Sequence, residues 1–138
     1  MSLKGRTFIV TGGNGGIGLG MAEGIAEAGG AIAIWGRNEE KNRQAKEQLA
    51  RYGVPVYSYL CDVGDENAII DTMKASVNDL GRLDGFFANA GRGGTGKKFV
   101  DTSLEEWRSV MTINLDGCLL YTSPSPRDAT LSRMPSSA

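Results

Sequence analysis

The chain has 138 residues, 41% of them hydrophobic and 22% charged, the composition of one soluble globular domain with its own core. Its net charge of −1 offers no basic surface to nucleic acid, no apolar run reaches the length of a membrane span, and MSLKGRTFIV has no signal-peptide core. A cytoplasmic location with neither a nucleic-acid nor a membrane partner is therefore expected, and the absence of histidine removes a His-based triad and His-ligated metal.

Phe8 to Val10 read as the first strand. The glycine-rich turn TGGNGGIG, Thr11 to Gly18, follows at once. Thr11, Gly12, Gly16 and Gly18 fit T-G-x-x-x-G-x-G, and Gly13, Gly15 and Gly18 fit G-x-G-x-x-G. Such a turn opening a helix is a phosphate cradle, because the first turn of a helix carries unpaired N–H groups and the positive end of the dipole. A tight turn without a ligand is the competing reading. Ile17, Met21 and Ile25 recur at helical spacing and predict the inner face of the first helix, which Gly29 and Gly30 end.

Ala31 to Trp35 (AIAIW) predict a second strand buried on both faces. Asn38 is placed to N-cap a charged helix running to Tyr52, with Gly53 behind it. Val54 to Leu60 predict a third strand, and Asp65 to Leu80 a helix whose apolar face is Ile69 or Ile70, Met73, Val77 and Leu80, closed by Gly81. Leu83 to Gly91 predict a fourth strand running into a turn, and GRGGTGKKF a flexible loop. Ser103 and Glu106 form a capping box for a further helix with Trp107, Val110, Met111 and Leu115 on its apolar side. Alternating strands and helices give an α/β fold with a doubly wound parallel sheet. Its ligand belongs at the carboxyl ends of the strands. Cys61 and Cys118 have no spacing that suggests a disulfide framework or a zinc site.

From Cys118 to Ala138 the pattern breaks. The stretch is rich in Ser and Pro and lacks any period, so composition reads as a disordered tail. CLLYTSPSPRD also resembles the in-frame translation of a transposon-end adapter used in preparing DNA libraries, and SRMPSSA its continuation into a primer. The expected division is a nucleotide-binding domain over 1–117 and a non-native or disordered tail over 118–138.

Three more features stand at strand ends, and a fourth lies inside a helix. Arg37 follows the second strand, where an acidic residue would suit the ribose of NAD and a cation suits the 2′-phosphate of NADP. Alternatively Arg37 is a solvated residue, and Glu39 and Glu40 either serve the helix dipole or pair with it. Asp62 can accept from an adenine amino group, with Val63 against the ring, or can simply cap a loop. Asn89, Ala90 and Gly91 leave room for a cofactor or mark a turn, and the Asn89 amide can tie neighbouring loops. Asn114 lies inside a predicted helix, either for a polar task or as a surface residue.

In this order and spacing, T-G-x-x-x-G-x-G, CDV, NAG and INLDG resemble the short-chain dehydrogenase/reductase family over Leu3 to Gly117. The resemblance implies the N-terminal part of a seven-stranded Rossmann sheet, about four strands with their helices. It implies an oxidoreductase that passes a hydride between NADP(H), or less readily NAD(H), and a carbonyl or secondary alcohol. Sugar-acid (gluconate-type) and 3-oxoacyl substrates are the expected types, and the whole protein is expected to be a homodimer or homotetramer. Gly12, Asn14, Gly16, Ile17 and Gly18 would hold the diphosphate and ribose, and Arg37 with Asn38 would select NADP. Asp62 and Val63 would meet adenine, Asn89 to Gly91 would border the ribose, and Asn114 would be the catalytic Asn that holds a water.

The family's catalytic Ser and Tyr-x-x-x-Lys are missing: Tyr121 has Ser125, not Lys, four residues on. The natural protein is accordingly expected to depart from this chain at about Gly117, and the chain itself to be inactive and of low stability. A non-catalytic nucleotide-binding module is the second reading.

Overall fold

The computed structural model describes residues 1–91, 101 and 103–111. Strands and helices alternate: β1 (Thr7–Thr11), α1 (Gly16–Glu27), β2 (Ala31–Gly36), α2 (Glu39–Ala50), β3 (Val56–Leu60), α3 (Glu66–Leu80), β4 (Gly85–Phe87) and α4 (Leu104–Met111). The four strands form one parallel sheet in the order β3-β2-β1-β4. The chain moves outward from β1 through β2 to β3, then crosses back to place β4 on the far side of β1. That reversal puts α3 on the opposite face from α1 and α2, as crossovers of one hand require. The expected α/β doubly wound sheet is thus the observed one.

The two central strands, β1 and β2, each feed two cores because successive side chains point to opposite faces. Phe8, Val10, Ile32 and Ile34 pack against Ala22, Ile25 and Ala26 of α1 and Ala45 and Leu49 of α2. Ile9, Ala33 and Trp35 pack on the other face with Ile69 of α3 and with Cys61, Val63 and Leu83. Ile32, Ala33, Ile34 and Trp35 are all essentially inaccessible, as a strand buried on both faces should be. Trp35 donates from Nε1 to Ser76 Oγ at 2.9 Å, which satisfies the polar edge of that large ring inside the core.

Three expectations need correction. The inner face of α1 is Gly18, Ala22, Ile25 and Ala26, whereas Ile17 is 76% and Met21 39% exposed. The helix is rotated by about one residue, because the glycine turn fixes its start and the smallest side chains let it lie close on the sheet. β3 begins at Val56, two residues later than expected: Pro55 has no N–H for the ladder, although its carbonyl accepts from Ile32 N–H at 3.0 Å. β4 spans only Gly85–Phe87, because Asn89 N–H turns back to the Phe87 carbonyl at 2.9 Å and takes the chain out of the ladder. The Asn38 and Ser103 caps agree with expectation: Asn38 accepts from Lys41 N–H at 2.9 Å and Ser103 from Glu106 N–H at 3.1 Å. Asp65, expected as the first residue of its helix, stands before it as the cap and accepts from Ala68 N–H at 3.2 Å. The GRGGTGKKF loop beyond Gly91, Asn114, Leu115, the segment 118–138 and the side chains of Trp107, Val110 and Met111 lie outside the described residues. Among the described residues no helix is long and apolar enough to cross a membrane.

Candidate functional site

A cleft of about 500 Å³ opens at the carboxyl ends of β1, β2 and β4, where the strand order reverses. Gly12 and Asn14 to Gly18 of the turn, Trp35 to Asn38, Cys61, Val63 and Asn89 to Gly91 line it, together with Lys41 from the first turn of α2.

The glycine turn is built by close approach. Gly12 has a φ of +66°, a left-handed conformation that glycine adopts without strain. A Cβ on Gly18 would stand 2.1 Å from the Gly12 carbonyl oxygen and 2.5 Å from Asn89 Nδ2, so only glycine lets α1 begin there. The start of α1 differs from the other helix starts described. Gly15 is its N-cap and supplies no side-chain acceptor, and the first turn holds no acidic residue. By contrast α2 and α3 each have a side-chain cap and acids in the first turn, and α4 has Ser103 with Glu105 and Glu106. The positive end of α1 is therefore left for an external anion at the cleft.

Side chains tie the wall formed by the end of β4 to β1. Asn89 Nδ2 donates to the Thr11 carbonyl at 3.1 Å and the Gly12 carbonyl at 3.5 Å, and Ala90 N–H donates to Thr11 Oγ1 at 2.9 Å. The opposite wall carries charge. Arg37 and Lys41 both line the cleft, and among the described residues its lining holds no carboxylate. Glu40 is drawn off by Arg43, whose Nε donates to it at 3.0 Å. That guanidinium and the Gln44 amide hold its carboxyl below the usual range. Arg43 also reaches Glu47, at 2.6 Å. Glu40 thus serves α2 and does not pair with Arg37. Cys61 forms part of the wall, and burial pushes its thiol up, away from the thiolate form.

Every cofactor residue expected from the sequence lines this cleft except Asp62. Asp62 is exposed at its margin and accepts from Gly64 N–H at 2.9 Å through Oδ1. Sequence reasoning missed Lys41, Trp35, Gly36 and Cys61 as lining residues. Lys41 carried a signal: it is the third helical residue after the Asn38 cap, and the cap bond folds that turn back toward the end of β2.

The family profile of short chain dehydrogenase matches residues 6–125. The chain belongs to the short chain dehydrogenase family. It is 38% identical over 118 residues to the sorbose reductase of Schizosaccharomyces pombe, covering 84% of this chain and 46% of that protein. It is also 38% identical over 120 residues to an NADP-dependent mannitol dehydrogenase of Alternaria alternata, covering 84% of this chain and 45% of that one. Among solved structures it resembles an NAD⁺-bound xylitol dehydrogenase with a TM-score of 0.84 and 37% identity, covering 87% of this chain and 46% of that chain. The chain spans about half the length of the curated relatives it matches. The family match runs on past Gly117, the expected end of the body.

Proposed function

We propose that the cleft is a dinucleotide site with a preference for NADP, in a whole protein that is an oxidoreductase acting on a carbonyl or secondary alcohol. The observation that carries this is the pairing of the uncapped start of α1 with Arg37 and Lys41 in one cleft whose described lining has no carboxylate. The α1 N-terminus and the turn from Gly12 to Gly18 suit a diphosphate. Arg37 and Lys41, with Asn38, suit a 2′-phosphate, whereas the ribose hydroxyl of NAD calls for an acid there. Val63 in the wall and Asp62 at the margin suit adenine, and Asn89 to Gly91 border the ribose. When bound, the nicotinamide donates or accepts the hydride. This chain's own residues hold the nucleotide, and Asn114 holds a water for proton transfer.

The relatives named above act on a ketose or on polyols, which supports a sugar-type substrate over a 3-oxoacyl one. A sugar acid fits the same chemistry. A homodimer or homotetramer belongs to this reading of the whole protein. Lacking the family's Tyr-x-x-x-Lys, the chain of 138 residues is proposed to bind without turnover.

Calorimetric titration of the chain with NADP⁺ and NAD⁺ tests the preference. NADP⁺ is expected to bind about tenfold more tightly, and Arg37→Ala to abolish that difference. Equal affinities in the unaltered chain, or an unchanged ratio in Arg37→Ala, would overturn the assignment.

A further inference from the structure

Asn42 does not line the cleft, yet every hydrogen bond its side chain makes leads to the cleft's frame. It sits on α2 and is 4% exposed. Its Nδ2 donates to the Gly36 carbonyl at 3.0 Å and the Tyr59 carbonyl at 3.1 Å, at the ends of β2 and β3. Its Oδ1 accepts from Asn14 Nδ2, in the glycine turn, at 2.8 Å. The two strand carbonyls fix the orientation of the amide, because turning it over would set its oxygen against both. The oxygen is thereby committed to Asn14. Gly36 provides the space: a Cβ there would stand 2.2 Å from Asn14 Nδ2 and 2.3 Å from Asn42 Oδ1. Gly36 and the two asparagines form one device that joins a turn with little side-chain mass to two strands of the sheet.

We propose that Asn42 is a positioning residue for the nucleotide. Through Asn14 it holds the glycine turn in the shape that presents the start of α1 to the cleft before any diphosphate arrives. It touches no ligand. It lowers the ordering cost of binding by meeting that cost during folding. The inference rests on the diphosphate reading given above, but the tether can be measured without a nucleotide.

The test uses the full chain as Asn14→Ala, Asn42→Ala and the double variant. In the absence of ligand, amide hydrogen exchange at residues 12–16 is expected to quicken about tenfold in Asn42→Ala, while β1 and β2 keep their protection. NADP⁺ affinity is expected to fall about tenfold in Asn42→Ala and at least as far in Asn14→Ala, which also takes a side chain from the cleft. The double variant is expected to bind no more weakly than Asn14→Ala, because Asn42 acts only through Asn14. Losses that multiply in the double variant, or unchanged exchange in the turn, would overturn the proposal. A purely structural Asn42 would lower the melting temperature and leave the affinity of the folded protein unchanged. If Asn42→Ala does not fold, Asn42→Ser retains a hydroxyl for a strand carbonyl, falls short of Asn14 and carries the same expectations. Absence of NADP⁺ binding to the unaltered chain would instead refute the dinucleotide reading, and the exchange measurement would still decide the tether.

Discussion

The two walls of the cleft are fastened in different ways. On the β2 side the main chain carries the load: β1 pairs with β2 from Thr7–Ala31 to Thr11–Trp35, and β2 pairs with β3 from Ile32–Val56 to Gly36–Leu60. On the β4 side the ladder with β1 covers only Phe8–Gly85 to Val10–Phe87. Side chains do the rest at both ends of that short strand. Asp84 Oδ2 accepts from Thr7 N–H at 2.9 Å where the strand begins, and Thr11 and Asn89 join β1 to the chain just past its end. A long ladder leaves its strand ends free to carry ligand-facing residues such as Arg37. A short one makes the polar residues at its ends responsible for the shape of the wall.

The largest effect should come where the walls meet. Gly18→Ala forces a Cβ against the Gly12 carbonyl, which belongs to backbone and cannot swing aside. A loss of about 3 kcal/mol in stability is expected in chemical denaturation, with loss of NADP⁺ binding. A variant with native stability and affinity would show that the turn is looser than described. Asn89→Ala comes next. It leaves the Thr11 and Gly12 carbonyls without their side-chain donor and should cost about 1–2 kcal/mol. Asn38→Ala, the cap on the better-laddered wall, should cost about 1 kcal/mol or less. A reversed order would break the contrast between the walls.

The smallest effect concerns Asp84. Burial pushes its carboxyl up, but Arg82 and the Thr7 N–H outweigh that and hold it below its usual range. The unfolded chain therefore takes up this proton at higher pH than the folded one does. The contribution to stability is present above the ordinary carboxylate value and lost as pH falls through the lowered folded value. Asp84→Asn should lower the denaturation midpoint slightly at neutral pH, and the gap from the unaltered chain should close on acidification. A gap that widens on acidification would contradict the sign.

Much of this arrangement is legible in the sequence, and the exceptions share a cause. The glycine turn, the Asn38 and Ser103 caps and the doubly buried β2 follow from local pattern and composition. The inner face of α1 does not, because Ile17 and Met21 form a plausible stripe that the contact between Gly18 and Gly12 overrides. Asn42 is visible only in hindsight: with Ala45 and Leu49 it shares the inner face of α2, so it is a polar residue in an apolar phase. Its partners lie on two strands and a turn, and no local spacing names them. The turn that ends β4 is likewise fastened by Thr11, far away in the chain.

The central claim is that the start of α1 receives a diphosphate while Arg37 and Lys41 read a 2′-phosphate. Hydrogen exchange of the full chain with and without saturating NADP⁺ and NAD⁺ tests it most directly. NADP⁺ should protect amides at residues 14–19 and also at 37–41, whereas NAD⁺ should protect the first group alone. Protection confined to α3, or the same pattern with both nucleotides, would contradict it.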